Sequence, residues 1–441
     1  MKNKNKLGKD TRFTVIIPGK NRAKYLANTL RTCSMQNYDP LEVIVSDDGS
    51  TDSTRDVVED AIRRDSRIRC IFHDTSIGMR DNFEFALSEV KPGFVIALGS
   101  DDGLLPDGIT GMSELLQETG MELLAWPAPL YVYPGVHDDH GQLIIYNMKG
   151  NRIIESQKFL ERQAKNLHYL SDFESPMFYV KGVASTQLID RVRSRSADRR
   201  FYTCATPDGY SGIVLAGEVE RYAFSGRPFS LYGLSPSSQG LAYLSNDAEA
   251  KKNSEAFYHK AADIPMHREL SSLPYSPLIT LMTVDYLLRS RDLEGWPGKF
   301  PDIDYRKVIK QSIAELSHGL YGRERIGREL AILKKIASQH GLEGYFRDLI
   351  RYSRRKPFKA PFVGSGMSPE AFFLDAKTFS INDIYDAAYA VKNYYQLYLN
   401  TGLVAFSRAL VRSIKYRLAS FGIGEPFPSE NEWGSLDSGA I

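Results

Sequence analysis

This sequence of 441 residues has little of what marks a secreted, disulfide-bonded or membrane-spanning protein. Its three cysteines, Cys33, Cys70 and Cys204, are far apart and form no CxxC pair, so we expect reduced thiols and a cytoplasmic location. No apolar segment follows the basic first residues, so we expect no secretory signal. No apolar run approaches the roughly 18 residues that cross a membrane.

Strong charge and metal-binding motifs are also missing. The formal net charge is +2, from 56 Lys and Arg against 54 Asp and Glu, so electrostatics predicts no nucleic acid partner. The eight histidines are scattered and contain no HExxH motif. With 42% hydrophobic and 25% charged residues, the composition is that of a globular protein long enough for two or three domains.

The first hundred residues alternate between apolar, β-branched segments and amphipathic segments. The pattern predicts strands over 13–17, 41–45, 67–72 and 94–98, separated by helices over 23–36, over 53–64 and around 79–90. Such alternation predicts a parallel sheet covered by helices on both faces. Ligands of such sheets bind beyond the carboxyl ends of the strands.

Polar loops follow three of these four strands, at residues 18–21, 47–50 and 100–102. The last two contain adjacent acids, Asp47-Asp48 and Asp101-Asp102. Read alone, the Gly-flanked pair Asp101-Asp102 is compatible with a solvated turn. Carboxylates at neighbouring strand ends repel each other, however, unless a cation or a donor-rich ligand lies among them. The two loops together favour a divalent-metal site in a nucleotide-binding crevice.

These segments resemble the signature segments of a known enzyme family. Residues 15–22, 42–52 and 100–102 are similar, in order and spacing, to three segments of the family 2 glycosyltransferases, and residues 78–87 resemble the segment that precedes the third. The resemblance is strong over about 12–110, weaker to about 235 and absent beyond. It implies the α/β GT-A fold, which is Rossmann-like with a mostly parallel sheet.

The resemblance implies a donor pocket. Asp48 would accept a hydrogen bond from the nucleotide base, and Pro18 to Asn21 would line the same pocket. Asn82 belongs to the similar segment before the metal motif and is predicted to contact the donor. The donor itself would be a nucleotide-diphosphate sugar.

The resemblance also implies a metal cofactor. Asp102 would bind Mn²⁺ or Mg²⁺ between the two phosphates, and Asp101 would contact ribose or sugar hydroxyls. Ser100 stands where the family usually has another acid, a departure that weakens the expected sugar or ribose contact at that position but leaves the metal ligand in place.

The reaction needs a base that deprotonates the acceptor hydroxyl. Asp208, in a Pro-Asp-Gly-Tyr-Ser segment before an apolar helix, occupies the window in which inverting members of the family carry a carboxylate. We expect partial burial beside Tyr202, Cys204 and Tyr210 to raise its pKa. Two alternatives stay open: Asp208 only caps the helix, or Glu174 is the base.

Beyond these segments, strands are predicted at 123–126, 130–133 and 178–180, with a polar excursion over 138–151. Trp126 and the tyrosines of this half would be core residues or platforms for sugar rings. After a loop at about 235 the pattern becomes helical, over 247–270, 276–290, 304–319, 324–340 and 342–353. We therefore expect a GT-A domain over 1–235, a helical domain over 236–360, and a C-terminal helical extension with a flexible tail over 361–441.

Two helices are predicted in the extension, at 381–398 and 402–421. The second has basic residues beside an apolar face, so it is either a core helix or a peripheral contact with the inner face of a membrane.

The preferred interpretation is a metal-dependent, inverting glycosyltransferase that acts on a hydroxyl of a glycan or lipid-linked acceptor. The alternatives are a non-catalytic sugar-nucleotide or glycan-binding protein and a nucleotidyltransferase that forms sugar nucleotides.

Overall fold

A computed structural model of the chain describes residues 11–148, 150–238, 240, 263–318, 321–356, 361–398 and 425–426. Its strands are β1 Phe13–Gly19, β2 Leu41–Asp47, β3 Ile68–Phe72, β4 Phe94–Ala97, β5 Gly103–Leu104, β6 Leu123–Ala125, β7 Leu130–Val132, β8 Gln142–Tyr146, β9 Arg152–Glu155, β10 Gly182–Ser185, β11 Arg221–Phe224, β12 Ser230–Leu234, β13 Arg354–Arg355, β14 Gly366–Met367, β15 Ala371–Asp375 and β16 Glu425–Pro426.

The helices of the described residues fall into two groups. Those of the first 235 residues are α1 Ala23–Ser34, α2 Thr54–Arg64, α3 Met79–Ser88, α4 Gly108–Thr119, α5 Ser156–Asn166, α6 Thr186–Arg195 and α7 Asp208–Gly217. The later ones are α8 Ile279–Arg291, α9 Tyr305–Leu316, α10 Arg323–Gln339, α11 Glu343–Tyr352 and α12 Ile384–Tyr398.

An eight-stranded sheet forms the centre of the N-terminal half, in the order β3-β2-β1-β4-β10-β6-β11-β9. The pairs β3–β2, β2–β1, β1–β4 and β6–β11 are parallel, and β10 and β9 run antiparallel to their neighbours. Strands β1 and β4 are buried almost throughout because helices cover both faces of the sheet, and this burial explains their continuous apolar runs. The expected α/β fold with a mostly parallel sheet is confirmed.

The predicted strand at 178–180 is wrong. Tyr179 makes one isolated bridge to Ala97, whereas the regular strand is β10, Gly182–Ser185. Val180 adopts a left-handed conformation, with φ of 63°, and this interrupts an extended chain that the apolar residues alone suggest. Trp126 is a core residue, fully buried, and its indole N–H donates to Ser230 Oγ at 2.7 Å.

A second sheet joins distant parts of the chain, in the order β14-β15-β8-β7-β12-β5. Strand β15 pairs antiparallel with β8, with Phe372 opposite Ile145. The polar excursion and the helical extension thus each contain a strand that the sequence pattern did not predict. Their pairing with each other spans more than 200 residues, and a contact of that range leaves no local signal.

Helix α12 confirms the helix predicted over 381–398 and packs against α1 of the N-terminal half. The guanidinium of Arg31 lies 4.0 Å from the ring centroid of Tyr385, and Tyr131 Oη donates to the carbonyl of Ile381 at 3.2 Å. Segment 366–398 therefore packs on the N-terminal half through both a strand and a helix. The division of the chain into three domains stays a prediction.

Helices α8 to α11 confirm four of the predicted helices between 276 and 353 and share one apolar core. The helix predicted over 247–270 lies mostly outside the described residues, whose nearest element is a short 3₁₀ turn, Arg268–Leu270. The predicted helix 402–421 and the tail also lie outside them. Across the helices that the structure describes, none is long and apolar enough to cross a membrane.

Candidate active site

Three polar loops meet at the carboxyl ends of β1, β2 and β4, as the sequence predicts. The N–H of Asn21 donates to Ser50 Oγ at 2.7 Å, and Asn21 Oδ1 accepts from the N–H of Thr51 at 2.8 Å. Gly19 lies against the third loop so closely that a Cβ atom there would collide with Ser100 Oγ. Glycine at position 19 therefore lets the first loop reach the acidic loop.

Asp48 fixes a fourth loop at this edge. Its carboxylate accepts from Ser76 Oγ at 2.7 Å, from the N–H of Ile77 at 2.6 Å and from the N–H of Gly78. The side chain is buried. These bonds give Asp48 a positioning role that sequence reasoning missed, and its predicted contact with a nucleotide base stays a prediction.

Asn82 is buried behind the same loops. Its Oδ1 accepts from Ser46 Oγ at 2.6 Å, and its Nδ2 donates to the carbonyl of Ser46 at 3.0 Å. Both polar atoms of the amide thus bind the end of β2, so Asn82 fastens α3 to the strand that leads into Asp47-Asp48. Direct contact with a donor stays a prediction.

We expect Asn82→Ala to lower the free energy of unfolding by about 2 kcal/mol, because it leaves buried groups of Ser46 without their partner. Urea denaturation measures this value. Asn28→Ala is the matched control, since Asn28 accepts a hydrogen bond from Arg31 at the surface and its loss should change stability by less than about 0.5 kcal/mol. Equal stability of the two variants would contradict the anchoring role.

Asp101 and Asp102 are buried, which excludes the solvated turn. Asp102 is 1% exposed, and its Oδ2 and Oδ1 accept from the N–H groups of Gly99 at 2.6 Å and Gly233 at 2.8 Å. Asp101 is 9% exposed, and its Oδ2 accepts from Ser235 Oγ at 2.6 Å. Strand β12 and the loop after it therefore close over the acid pair.

No salt bridge within the described part of the chain neutralises the acid pair, although the positive charge of Arg22 acts on Asp101 and partly lowers its pKa. Burial raises the pKa of Asp101, and burial together with the charge of Asp101 raises the pKa of Asp102 well above its usual value. The groups that hydrogen-bond the two carboxylates are neutral. A cation at this site would stabilise both ionised side chains.

The oxygen donors of the pair fit Mn²⁺ or Mg²⁺ chemically. Among the described residues no group of three His, Cys, Asp or Glu side chains could hold a metal ion. The chain would thus supply one or two carboxylates, and Mg²⁺ sites of that kind take their other ligands from substrate phosphates and water. This donor set suits a metal that arrives with a diphosphate.

Asp208 is the first residue of α7, after Pro207 at the N-cap position. Asp208 thus lies in the first turn and not at the N-cap itself, where its carboxylate also suits the positive end of the helix, and a role restricted to the helix end stays the alternative to a base. Burial among the surrounding side chains raises the pKa of Asp208 to about 6, although the residue keeps partial exposure to solvent. The direction agrees with the sequence prediction, and a base with this pKa is half ionised at about pH 6 and mostly ionised at neutral pH.

Two tyrosines connect Asp208 with the acid pair. Burial raises the pKa of Tyr179 and of Tyr232 well above its usual value, and the charges of Asp102 and Asp208 raise both further. Tyr232 Oη donates to the carbonyl of Tyr179 at 3.3 Å. Both phenols are therefore within electrostatic reach of both carboxylates.

Glu174, the alternative base, is held in ion pairs. Its two oxygens lie 2.8 Å from Arg152 and 2.6 Å from Arg162. Its backbone carbonyl also accepts from Tyr222 Oη at 2.8 Å. Both oxygens of Glu174 are thus occupied by guanidinium groups, which favours Asp208 as the base.

Sequence reasoning missed the groups that close over the acids, above all Gly233 and Ser235. A Cβ atom at Gly233 would collide with the carbonyl of Asp101. A glycine at position 233 lets β12 lie close to Asp101. No rule of sequence spacing connects this glycine with an acid more than 130 residues earlier.

Parts of this chain are similar to known proteins. Residues 14–177 match the sequence model of Glycosyl transferase family 2. An uncharacterized glycosyltransferase of Haemophilus influenzae is 23% identical over 219 residues, 49% of this chain and 80% of that protein. The GalNAc(5)-diNAcBac-PP-undecaprenol beta-1,3-glucosyltransferase of Campylobacter jejuni is 31% identical over 108 residues, 24% of this chain and 35% of that protein.

Among solved structures, S. aureus TarS 1-349 in complex with UDP-GlcNAc aligns with 82% of this chain and 99% of that chain, at 14% identity and a TM-score of 0.39. The matched family segment contains β1, β2, β4 and the acidic loops that meet at their ends. The N-terminal part of this chain is thus similar to the glycosyltransferases of family 2.

Proposed function

We propose that the protein transfers one sugar from a nucleotide-diphosphate sugar to a hydroxyl group, in a metal-dependent reaction that inverts the anomeric carbon. The observation that carries the proposal is the buried pair Asp101-Asp102 at the meeting point of three strand-end loops. A cation would stabilise the ionised forms of both acids, and a diphosphate donor would supply its remaining ligands.

In the proposed reaction Asp208 accepts the proton of the acceptor hydroxyl. The acceptor oxygen forms a bond to the anomeric carbon while the bond from that carbon to the phosphate oxygen breaks, and the nucleoside diphosphate leaves. Asp102 would hold the metal, which when bound neutralises charge on the leaving diphosphate. Asp101 would orient the donor, and Asp48, Asn82 and the Pro18–Asn21 loop would shape its pocket.

For the acceptor we propose a glycan or a lipid-linked glycan, in the biosynthesis of a polysaccharide. The Campylobacter relative, of which this chain covers 35%, carries an undecaprenol-linked acceptor in its name and supports this choice. A cytoplasmic location at the inner face of a membrane would suit such an acceptor. The contact predicted for residues 402–421 lies outside the described residues and stays a prediction.

The raised pKa of Asp208 favours an enzyme over a non-catalytic binding protein. A binding site has no need of a carboxyl group whose pKa is raised towards neutral pH. Against a nucleotidyltransferase, the loop after β1 has Gly19-Lys20 but no glycine-rich, basic segment for a triphosphate.

We expect one nucleotide sugar, given with Mn²⁺, to raise the melting temperature by about 5 °C at a concentration near 100 times its Kd, because ligand binding adds about 2.7 kcal/mol there. A thermal-shift panel of UDP-GlcNAc, UDP-glucose, UDP-galactose and GDP-mannose, each with Mn²⁺ or with EDTA, measures the effect. Shifts of equal size with EDTA, without release of nucleoside diphosphate, would favour the binding protein.

A further inference from the structure

Helix α8 belongs to the helical region, yet it packs directly on α7, the helix that begins with Asp208. Ten residues of α8 are buried, around most of its circumference, so it is an internal helix. It lies well outside residues 14–177, the segment that matches the family. Its side chains reach the backbone on both sides of the proposed base.

Tyr286 of α8 contacts the segment next to Asp208 in two ways. Its hydroxyl forms a hydrogen bond with Thr206 Oγ1 at 2.6 Å, and its ring lies edge-on to the ring of Tyr169, with centroids 5.4 Å apart. A Cβ atom at Gly209 would lie 2.7 Å from the Tyr286 ring and would also collide with Tyr169. The two rings thus lie directly on the residue that follows Asp208.

Arg289, one turn further along α8, holds the same segment at its other end. Its Nη1 donates to the carbonyl of Thr203 at 2.6 Å, and its Nε donates to Asp285 Oδ2 at 2.7 Å. Asp285 in turn accepts from the N–H of His267 at 2.6 Å. Charge-assisted bonds of this kind are strong and directional, so α8 fixes residues 203 and 206 together.

We propose that Tyr286 and Arg289 are positioning residues, which hold segment 203–208 so that the Asp208 carboxylate faces the acceptor. The proposal rests on the proposed role of Asp208 as the base. It gives the helical region, which the family resemblance does not reach, a function in the transfer step.

The groups that face Asp208 come from several elements and are uncharged acids. They are Tyr169, Tyr179, Tyr202, Cys204, Tyr232 and Tyr286. The nearby cation, Arg289, is paired with Asp285 and acts on Cys204 and Tyr210. Burial by these side chains raises the pKa of Asp208, so removal of a ring should admit water and lower that pKa.

The test measures hydrolysis of whichever donor the wild-type protein cleaves fastest among UDP-GlcNAc, UDP-glucose and GDP-mannose, at a temperature at which all variants are folded. Tyr286→Phe and Thr206→Val each remove one side of the same hydrogen bond. We expect each to lower kcat by roughly tenfold to a hundredfold, with the donor KM unchanged, because a misplaced base slows only the chemical step. The double variant should lose no more than either single one.

Tyr305→Phe is the matched control. Tyr305 also lies in the helical region and donates to Glu269 at 2.7 Å, away from Asp208, so its kcat should equal that of the wild type. A further variant, Tyr286→Leu, removes the ring. In its pH profile, the midpoint of the fall in kcat at low pH should lie below the wild-type midpoint near pH 6. An unchanged midpoint, or losses that multiply in the double variant, would overturn the proposal.

Failure of the positioning role can be told from failure of the proposed function. If Asp208→Asn retains wild-type hydrolysis, the base assignment is wrong and the positioning role falls with it. If Asp208→Asn loses hydrolysis while Tyr286→Phe and Thr206→Val keep wild-type kcat, the positioning role alone is wrong.

Discussion

Asp102→Ala is expected to reduce Mn²⁺-dependent donor turnover by about a thousandfold. The proposed metal supplies several kcal/mol of charge stabilisation on the leaving diphosphate, and each ~1.36 kcal/mol is a factor of ten in rate. Asp102 is the more buried acid of the pair and lies between two backbone donors, so no other side chain takes its place in the described site. Release of nucleoside diphosphate in the presence of Mn²⁺ measures the loss.

Asp102→Asn distinguishes loss of the metal ligand from loss of the hydrogen bonds that stabilise the loop. The amide oxygen still accepts one of the bonds from Gly99 and Gly233, but the charge that attracts the metal is gone. We expect the variant to melt close to the wild type and to be nearly as inactive as Asp102→Ala. Asp107→Asn is the control, since Asp107 is exposed and pairs with Lys392 at 2.9 Å. Full turnover by Asp102→Asn with Mn²⁺ would refute the metal assignment.

Asp208→Asn is expected to lower transfer by a factor of about 10² to 10⁴, the usual contribution of a general base. The substitution keeps the size of the side chain and removes the proton acceptor, so the donor-induced thermal shift should persist. Glu174→Gln should keep transfer, because Glu174 serves the ion pairs with Arg152 and Arg162. The reverse result, loss with Glu174→Gln and retention with Asp208→Asn, would move the base to Glu174.

The pH profile of the wild type checks the same role. Asp208 can accept a proton only when it is ionised, and burial raises its pKa to about 6. The rate should therefore fall as the pH decreases through about 6. An ordinary exposed aspartate would keep the enzyme active to near pH 4. Activity that is constant from pH 7 to pH 4.5 would exclude Asp208 as the base.

Local patterns predicted the parallel half of the fold and the place of the site. Continuous apolar runs marked β1, β2 and β4, and their polar ends identified the loops that meet in the structure. Polar residues after buried parallel strands fall at one edge of the sheet whatever the rest of the chain does. This rule holds without knowledge of long-range contacts.

Partners that lie far apart in the chain escaped prediction. The closure of β12 over the acids depends on Gly233 and Ser235, and the α8 contacts depend on Tyr286. Asp48 and Asn82 were predicted to contact a ligand, yet their polar atoms bind the protein itself. Which oxygen meets which donor depends on packing, and residue type and spacing do not encode it.

The pairing of β8 with β15 has a consequence for synthesis on the ribosome. About 225 residues separate the end of β8 at Tyr146 from the start of β15 at Ala371. One edge of β8 pairs with β7, which is made earlier, but at ~5–20 residues per second the other edge waits roughly 10 to 45 seconds for β15. During that time the nascent chain presents an unpaired apolar strand edge, Leu143 to Ile145, which is the kind of surface that chaperones shield.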